Sequence, residues 1–536
     1  MDKQKPGTLF WGLIIFSSLL LLSPLLWFGF GTDQGLHAYG AWVWRNYHLA
    51  PYLGCFDHNF PGIFIIHYFT QLIFGESVLG FRVFDLIWQA ATALMISLVS
   101  WAVFKNRTAG FLAAVFYSIT YINMGAWDTG QRDGFLLLLY LLGFWLLTKP
   151  EAASAKIIAP AFSGLLIGFG FLLKPVAALI GFLFMLMLWK RRKSGLAPIL
   201  FYLAGCLLPF AIIILYYWRL GGLAKLFQAI FEFNSEIYSG ALRAPPLLVL
   251  GGIFLMRFWI NFAQVLSGLL LLALLLGRRR KTNEFERGSA LWLLLLFAGV
   301  YLGYLAQGKY YAYQQTPVWG LLCLFSGVGW AAAFDVLAPA AGSLRKTKAA
   351  VFSLILLALS CMLIDPGMLR FLAGVPRLTF NEGYDSTPYF FTCRLAASYL
   401  QNHTQPGHKA QVWGSEALIN YLAQRQAPSR FPSTLSLIFR PGPDLRAPLQ
   451  KKLGAELLDS LKTDPPAYFL VETISHPGYG IKSDKQVLLE DYPEIENFVS
   501  ERYSLAYNIK FLDGYIEFYR LKSLPDAPSQ AQQDQK

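Results

Sequence analysis

The chain alternates between long apolar runs and short polar connections over most of its length. The first run begins at Leu9, carries no charged residue until Asp33 and shows no small-residue cleavage site, so we expect it to be retained as a helix. About 20 apolar residues in a helix cross the hydrocarbon core of a bilayer. Such runs lie at 9–30, 79–104, 109–125, 134–148, 157–173, 176–189, 197–218, 245–276, 288–306, 316–335 and 349–364. The pattern therefore predicts a polytopic α-helical membrane protein with about eleven transmembrane helices.

Basic residues gather in every second connection between these runs. They are Lys3 and Lys5, Lys105 and Arg107, Lys149 and Lys156, the cluster 190–193, the cluster 278–281 with Arg287, and Arg345, Lys346 and Lys348. If eleven runs cross, all of these clusters fall on one side, and the positive-inside rule makes that side the cytoplasm. We therefore expect the N-terminus in the cytoplasm of a plasma (inner) membrane, and everything after Asp365 outside it, in the periplasm if the cell is Gram-negative.

The sequence changes character after Pro366. Strands are predicted at 409–414 and 466–472, a helix at 415–425, and a helix that continues into a strand over 494–509. This pattern predicts an extracytoplasmic α/β domain over 366–522, following a membrane domain over 1–365 with an outer loop at 31–78. The tail 523–536 has low hydrophobicity and is expected to be disordered. No GxGxxG motif follows a strand here, so a nucleotide site has no support.

Composition agrees with a membrane protein and narrows the partners. The 536 residues are 55% hydrophobic and only 14% charged, which is too apolar for a soluble domain of this size. The net charge of +13 comes from the short basic clusters, so it indicates membrane orientation rather than nucleic-acid binding. The five cysteines form no CxxC pair, and Cys55 with Cys393 is the only conceivable bridge.

The outer connections collect ionisable side chains of both signs, whereas the inner ones hold almost only Lys and Arg. The outer set is Asp33, Asp57, His58, Asp128, Arg132, Asp133, Lys174, Glu232, Glu236 and Lys309. An ionised group at the bilayer centre costs about 2.5–3.5 kcal/mol, so such groups tend to be paired or functional. A solvated loop charge or a helix-end anchor explains any one of them equally well. For Arg82 and Asp85, three residues apart on one helix face, we predict an internal ion pair.

The carboxylates of the first outer loop suit a group-transfer reaction. The stretch 45–62 mixes Tyr, Phe and Pro, as expected of a loop lying at the membrane surface. A carboxylate there can take a proton from a hydroxyl group while nearby Arg and Lys hold a phosphate. Outside the membrane there is no supply of nucleotide sugars or ATP, so a transferase needs a donor that a lipid carries across. A polyprenyl-phosphate sugar meets that need.

Four motifs in order resemble a known family. They are "TDQGLHAYGAWVWRNYHLAPYLGCFDHNFPG" at 32–62, "GQRDGFLLLLYLL" at 130–142, "GLLIGFGFLLKP" at 164–175 and "QGKYYAYQQTPV" at 307–318. This order resembles the dolichyl-phosphate-mannose protein mannosyltransferases and their bacterial polyprenyl-phosphate-sugar-dependent relatives, within the glycosyltransferase C superfamily. The resemblance implies an inverting transferase, in which an acceptor hydroxyl or amine attacks the anomeric carbon from the face opposite the lipid phosphate.

The same resemblance implies roles for individual residues. Asp33 is expected to be the catalytic base and Asp133 to assist it. The cations of Arg132, Lys174 and Lys309 are expected on the donor phosphate, and the sugar or acceptor pocket is expected to hold Gln34, Tyr39, Asp57 and His58. Three positions depart from the family pattern: Gln34 replaces a second acid, Asn59 replaces the Lys of a D-H-K-P-P element, and Phe60 replaces its first Pro. The departure at Gln34 leaves a divalent metal open, and that at Asn59 suggests a sugar other than the commonest one.

Two other classes of function compete with the transferase. A transporter or flippase of a lipid-linked sugar would place polar groups near the midplane, often in two related halves. Here the polar cluster lies at the outer helix ends, and one half does not repeat in the other. A simple membrane anchor for the outer domain leaves the long loop 31–78 unexplained. The sequence does not identify the sugar, the acceptor (a glycan, lipid or protein) or the oligomeric state.

Overall fold

The protein was analysed as a computed structural model, which describes nine segments of the chain. These are 7–148, 155–190, 195–240, 244–255, 266–273, 284–337, 389–440, 447–475 and 483–524. Several predicted features lie outside them: the run 349–364, the basic clusters at 191–193, 278–281 and 345–348, the domain boundary near 365, and nearly all of the tail 523–536. These features stay predictions.

The described residues between 7 and 337 are mostly helical. Their bounds are α1 Thr8–Leu22, α2 Thr32–Tyr47, α3 Gly62–Phe74, α4 Val78–Phe104, α5 Arg107–Ile122, α6 Gly125–Asp128, α7 Arg132–Thr148, α8 Ala155–Leu173, α9 Ala177–Lys190, α10 Ala197–Arg219, α11 Leu223–Phe227, α12 Pro246–Leu255, α13 266–273, α14 Glu284–Gln307 and α15 Thr316–Leu337. Every apolar run predicted between 9 and 335 overlaps a helix in the described residues.

Five helical stretches in the described residues are long and apolar enough to cross a membrane by length and composition. They are Thr8–Trp27, Val78–Phe104, Ala197–Arg219, Gly288–Gln307 and Ala312–Ala333. Ala312–Ala333 is 89% buried within the protein, whereas Thr8–Trp27 and Ala197–Arg219 are each 28% buried. An apolar helix that the protein leaves mostly uncovered needs another apolar medium, so the last two have the surface expected of helices facing lipid.

The segment 31–78, expected to be a surface loop, is largely helical. It contains α2 and α3, because its polar residues and aromatic residues follow a helical rather than a turn-rich spacing. The irregular part is short and runs from His48 to Pro61. The sequence analysis did not predict these two helices within the outer loop 31–78, and the helical backbone fixes the orientation of the side chains that this segment carries. That the segment lies outside the membrane stays a prediction.

By packing, the chain forms two compact units, and each is described by itself. The first takes in 1–28, 81–215 and 244–382, and the second takes in 29–80, 216–243 and 383–536. In the first unit, helices α5 and α15 make the most extensive contact. In the second unit, α2 packs on a short helix of the C-terminal region. The candidate site residues therefore divide between the two units.

The C-terminal region contains a four-stranded mixed sheet with helices. The helices are α16 Tyr389–His403, α17 Ala417–Ala423, α18 Leu435–Ile438, α19 Pro448–Thr463, α20 Asp484–Asp491 and α21 Pro493–Arg502. The strands are β1 Ala410–Trp413, β2 Tyr468–Glu472, β3 Tyr503–Phe511 and β4 Gly514–Leu521, in the order β1-β2-β4-β3. β1 and β2 are parallel, and the other two pairs are antiparallel. The strands predicted at 409–414 and 466–472, the helix at 415–425 and the helix-to-strand change within 494–509 are confirmed.

Candidate active site

Asp33 lies in the first turn of α2. The N-cap of this helix is Gly31. The backbone N–H of Gly31 donates a hydrogen bond to the side-chain oxygen of Gln34, which caps the start of the helix. Gln34 is fully buried, and its side chain serves to cap the N-terminal end of α2. Asp33 is half-buried, and within the described residues its carboxylate forms no hydrogen bond or ion pair. The helix fixes this carboxylate while leaving both of its oxygens available to a ligand.

Asp57, by contrast, is already bound by its neighbours. Both of its carboxylate oxygens lie 2.9 Å from Nδ2 of Asn59, and the Asn59 backbone N–H donates to Oδ1 at 3.3 Å. Nε2 of His37 lies 3.2 Å from Oδ2, and Nδ1 of His58 lies 3.4 Å from Oδ1. Asp57, His37 and Asn59 are all buried. Asp57 is thus an organising group for three side chains rather than an open proton acceptor.

His58 is brought together with Asp57, as predicted, and it also contacts the segment after α10. Its ring lies 4.0 Å, centroid to centroid, from that of Tyr238, and Nδ2 of Asn234 donates to its backbone carbonyl at 2.8 Å. This segment is a π-helix over Gln228–Glu232 and Asn234–Tyr238. π-Helical turns are rare and recur at functional sites. The segment after α10 therefore belongs to the surroundings of the Asp57 cluster.

Asp133 and Lys174 form a buried ion pair in the first unit. Asp133 lies in the first turn of α7, Lys174 follows the end of α8, and Nζ lies 2.6 Å from Oδ2. Both side chains are less than 10% exposed, and Nζ also lies 5.5 Å from the ring centroid of Tyr313. The family resemblance implies separate roles for these two residues, but the structure joins them in one ion pair. Asp133 balances the charge of Lys174, so an incoming phosphate would compete with a carboxylate for this ammonium group.

The turn that precedes α7 is fixed by Arg82, a fully buried side chain of α4. Its guanidinium donates to the backbone carbonyls of Phe28 at 3.2 Å, Ala126 at 3.0 Å and Thr129 at 3.4 Å, and to Oγ1 of Thr129 at 3.1 Å. Asp85 lies 3.6 Å from it, so the predicted ion pair is confirmed. Arg82 therefore connects α4 with the turn that places Arg132 and Asp133.

Asp85 connects the Arg82 network to Tyr121 and Gln89. Its Oδ1 accepts hydrogen bonds from the Tyr121 hydroxyl at 2.8 Å and from Nε2 of Gln89 at 3.0 Å. The Tyr121 hydroxyl in turn accepts one from the backbone N–H of Gly130 at 2.8 Å. Gly130 has φ of +70°, and a Cβ there would meet the Phe81 ring at 2.7 Å, so the turn requires glycine. A chain of buried polar groups thus fixes both sides of the turn.

The remaining predicted residues have the following surroundings. Arg132, the first residue of α7, is 9% exposed. Lys309 is half-buried and follows the end of α14. Tyr39 is fully buried in α2, and its hydroxyl accepts a hydrogen bond from the Ala427 backbone N–H at 2.9 Å, which makes it a packing contact of the second unit.

The cysteines and the candidate metal ligands have the following surroundings in the described residues. Cys55 and Cys393 are free, buried thiols, so they do not form the conceivable bridge. Burial, and secondarily the charge of Asp57, raises the pKa of the Cys55 thiol well above its usual value, which makes it a poor nucleophile. Among the described residues, no group of three or more His, Cys, Asp and Glu side chains is arranged to hold a metal ion. No step below depends on a metal.

Sequence reasoning missed His37. It lies four residues after Asp33 on the same face of α2, and this spacing could have indicated it once 31–47 was assigned to a helix. It identified the replacement of a Lys by Asn59 but missed that the Asn59 amide binds Asp57 directly. Neither residue carries a motif of its own, because each acts through a partner that is distant along the chain or in an irregular segment.

The Asp133–Lys174 pair gives two substitutions with opposite expected effects on phosphate binding. If the expected polyprenyl-phosphate donor binds here, Lys174→Gln should weaken binding of polyprenyl phosphate by roughly 10-fold or more, because a charge-assisted hydrogen bond contributes about 1.5–3 kcal/mol. Asp133→Asn should strengthen it, because the ammonium group loses its competing carboxylate. Affinity would be measured on the purified protein in detergent by thermal shift against lipid concentration. Lys190→Gln, at the exposed end of α9, is the matched control. Unchanged affinity in both variants would assign the pair a purely structural role.

Comparisons with known proteins agree with the motif order. Residues 57–218 match the family model described as dolichyl-phosphate-mannose-protein mannosyltransferase. The structure of ArnT from Cupriavidus metallidurans bound to undecaprenyl phosphate is 12% identical, with a TM-score of 0.56 over 97% of this chain and 99% of that one. Its apo state gives a TM-score of 0.57, with 12% identity over 96% and 99%. The Archaeoglobus fulgidus oligosaccharyltransferase complex with Zn and sulfate gives 0.47, with 13% identity over 86% and 68%. No curated protein matches the chain. The resemblance to the glycosyltransferase C superfamily is confirmed, and the fold is that of ArnT.

Proposed function

We propose that this protein is a membrane glycosyltransferase that moves a sugar from a polyprenyl-phosphate donor to an acceptor hydroxyl or amine outside the cytoplasm, with inversion. The family match over 57–218 and the ArnT fold along nearly the whole chain support a membrane glycosyltransferase. The ArnT structure contains undecaprenyl phosphate, which motivates a lipid-phosphate donor for this chain. The observation that carries the mechanism is the Asp33 carboxylate, held by a helix yet free of hydrogen bonds within the described residues.

The chemistry follows from an open carboxylate and a phosphate leaving group. The acceptor oxygen or nitrogen forms a bond to the anomeric carbon, and the bond from that carbon to the phosphate oxygen breaks. The acceptor proton passes to the Asp33 carboxylate, and the polyprenyl phosphate leaves with the electron pair of the broken bond. An aspartate is a weak base towards an alcohol, so proton transfer comes late, as the new bond nears completion. Inversion follows because attack and departure take place on opposite faces.

The charges and the surroundings of the other residues suggest their roles. Arg132, Lys174 and Lys309 are the cations for the donor phosphate, and a buried ammonium or guanidinium binds phosphate more strongly than one in water. Asp57 and His58 shape the sugar or acceptor pocket through the contacts of Asp57 with His37 and Asn59. An amide at position 59 offers a sugar hydroxyl a neutral partner in place of a cation.

Mass spectrometry of the lipids that co-purify with the protein tests the donor class. The purified protein is expected to carry a polyprenyl phosphate or a polyprenyl-phosphate sugar, and the attached mass identifies the sugar. The Lys174→Gln variant, prepared in parallel, should carry less of the same lipid. A preparation of active protein that retains phospholipids alone would contradict a lipid-phosphate donor.

The outer location of the reaction rests on the basic connections. We expect a cysteine introduced within 278–287 to resist a membrane-impermeant thiol reagent in intact cells, and one introduced near Ser523 to react with it. A cysteine-free parent protein is the control, since the chain has five native cysteines. The reverse labelling pattern would place the C-terminal region, and with it the proposed reaction, on the cytoplasmic side.

A further inference from the structure

The first turn of α2 is attached to a buried carboxylate of the C-terminal region. Oγ1 of Thr32 donates a hydrogen bond to Oε1 of Glu416 at 3.1 Å and lies 3.0 Å from the Tyr389 hydroxyl. The Tyr389 hydroxyl itself donates to Oε2 of Glu416. Glu416 is 1% exposed, and Thr32 is the residue immediately before Asp33. Three side chains therefore meet one position away from the proposed catalytic base.

Glu416 is itself fixed by the sheet. Strands β1 and β2 are parallel and pair Trp413 with Val471, so the residues that follow them lie side by side. Glu472, the last residue of β2, accepts hydrogen bonds from the backbone N–H of Ser415 at 2.9 Å and of Glu416 at 3.0 Å. The turn between strand and helix has no room for a side chain at Gly414, where φ is +150° and a Cβ would lie 2.2 Å from the Glu472 carboxyl carbon. The backbone that carries the Glu416 carboxylate is therefore held rigidly by the sheet.

The protonation state of the Tyr389 hydroxyl favours its hydrogen bond to Glu416. Burial, with the charge of Glu416 as the next cause, raises the pKa of Tyr389 well above its usual value. The phenol therefore keeps its proton and remains a donor to Glu416. The hydroxyl of Ser415 also donates to Oε1 of Glu416, so the carboxylate accepts from three hydroxyl groups.

The rest of α2 packs closely on the same region. A Cβ at Gly35 would lie 2.5 Å from Cβ of Leu418, so the backbone of α2 approaches α17 as closely as glycine allows. One turn later, the Tyr39 hydroxyl receives the N–H of Ala427. These contacts fix the body of the helix. The contact of Thr32 with Glu416 reaches the first residue of the helix, where helices otherwise fray.

We infer that Glu416 is a positioning residue for Asp33, which it holds through Thr32. This inference rests on the proposed function, in which Asp33 is the base. A displacement of about 1 Å in a catalytic group can cost as much as 10²-fold in rate, so an anchor one residue from the base has a kinetic effect even when the fold survives. The C-terminal α/β region then contributes to the reaction itself and is more than a covering domain.

The test uses the full-length protein in proteoliposomes and four variants. Thr32→Val removes the hydroxyl at nearly constant shape, Thr32→Ser keeps it, and Glu416→Gln keeps the shape but not the charge. Glu517→Gln makes the same chemical change on β4, where the carboxylate pairs with Lys485 at 2.7 Å. Turnover would be measured as the rate of polyprenyl phosphate release from a bacterial membrane lipid extract, at saturating and at limiting concentrations of that extract. Donor-site integrity is the affinity for undecaprenyl phosphate.

We expect Thr32→Val and Glu416→Gln to lower the saturating rate by roughly 10-fold while leaving undecaprenyl phosphate affinity within about twofold. Thr32→Ser and Glu517→Gln should stay near the wild-type rate. If Glu416 acts through Asp33, adding Glu416→Gln to Asp33→Asn should slow the protein no further. Wild-type rates in Thr32→Val and Glu416→Gln, or full additivity with Asp33→Asn, would overturn the inference.

Three further outcomes have distinct meanings, and the last two separate this inference from the proposed function. If Glu416→Gln does not fold, the Thr32→Val and Thr32→Ser pair decides alone, since neither removes the carboxylate. If Asp33→Asn itself keeps the wild-type rate, the assignment of Asp33 as the base is wrong, and with it the positioning role of Glu416. A large loss in Asp33→Asn with none in Thr32→Val would overturn only the role of Glu416.

Discussion

Asp33→Asn protein should fold, bind undecaprenyl phosphate as tightly as the wild type, and lose about 10²-fold or more in turnover, because a positioned general base contributes about 10²–10⁴ in rate. Asparagine keeps the shape of the side chain but cannot accept the acceptor's proton. The carboxylate forms no hydrogen bond or ion pair within the described residues, so its replacement breaks no contact there. The measurement is the initial rate of polyprenyl phosphate release beside the affinity for undecaprenyl phosphate.

Asp57→Asn is the matched control for this substitution. Asp57 is bound by His37, His58 and Asn59, so its loss should lower thermal stability and reduce turnover less than the loss of Asp33. If Asp33→Asn retained near-wild-type turnover, Asp33 would have no part in proton transfer. Asp133 would then be the next carboxylate to examine, although its Oδ2 is already paired with Lys174.

Arg82→Met is expected to cause the largest loss of stability among substitutions outside the proposed reaction centre. It removes the hydrogen bonds to three backbone carbonyls and leaves Asp85 buried without its cation. Breaking a buried ion pair by removing one partner costs about 3–5 kcal/mol. The apparent unfolding temperature in detergent should fall accordingly, at a fixed scan rate because membrane proteins often unfold irreversibly.

A second variant separates the charge effect from the loss of hydrogen bonds. Arg82→Met combined with Asp85→Asn removes both charges, so it should be more stable than Arg82→Met alone. Turnover should fall in both, because the turn at 125–131 places Arg132 and Asp133 at the start of α7. An Arg82→Met protein with the wild-type unfolding temperature would show that the network does not hold this turn.

The sequence predicted those features that depend on local pattern. Apolar length placed the helices between 9 and 335, and short runs rich in apolar, β-branched and aromatic residues placed β1 and β2 as buried strands. The spacing of Arg82 and Asp85 predicted their ion pair because both lie on one helix face. In each case the interaction is formed within one element or between the element and its apolar surroundings.

The features that sequence reasoning missed depend on long-range contacts. Thr32 and Glu416 are 384 residues apart in the chain, and nothing near either position indicates the other. The same holds for Asp133 and Lys174, which were predicted as separate site residues but form one pair across 41 residues. α2 was assigned to a loop because its mixture of polar and aromatic residues suggested a surface segment. Its polar face is covered by protein, which a single sequence does not indicate.

The most direct test of the proposed glycosyltransferase is a lipid balance in proteoliposomes. Wild-type protein and Asp33→Asn protein would each be incubated with bacterial polyprenyl-phosphate sugars and a bacterial envelope extract as the source of acceptors, and the lipids would be followed by mass spectrometry. The account predicts that the wild type converts a polyprenyl-phosphate sugar into an equal amount of polyprenyl phosphate, and that Asp33→Asn protein converts it at least about 10²-fold more slowly. Movement of the intact lipid-linked sugar between leaflets, with no polyprenyl phosphate released, would contradict a transferase and indicate a flippase.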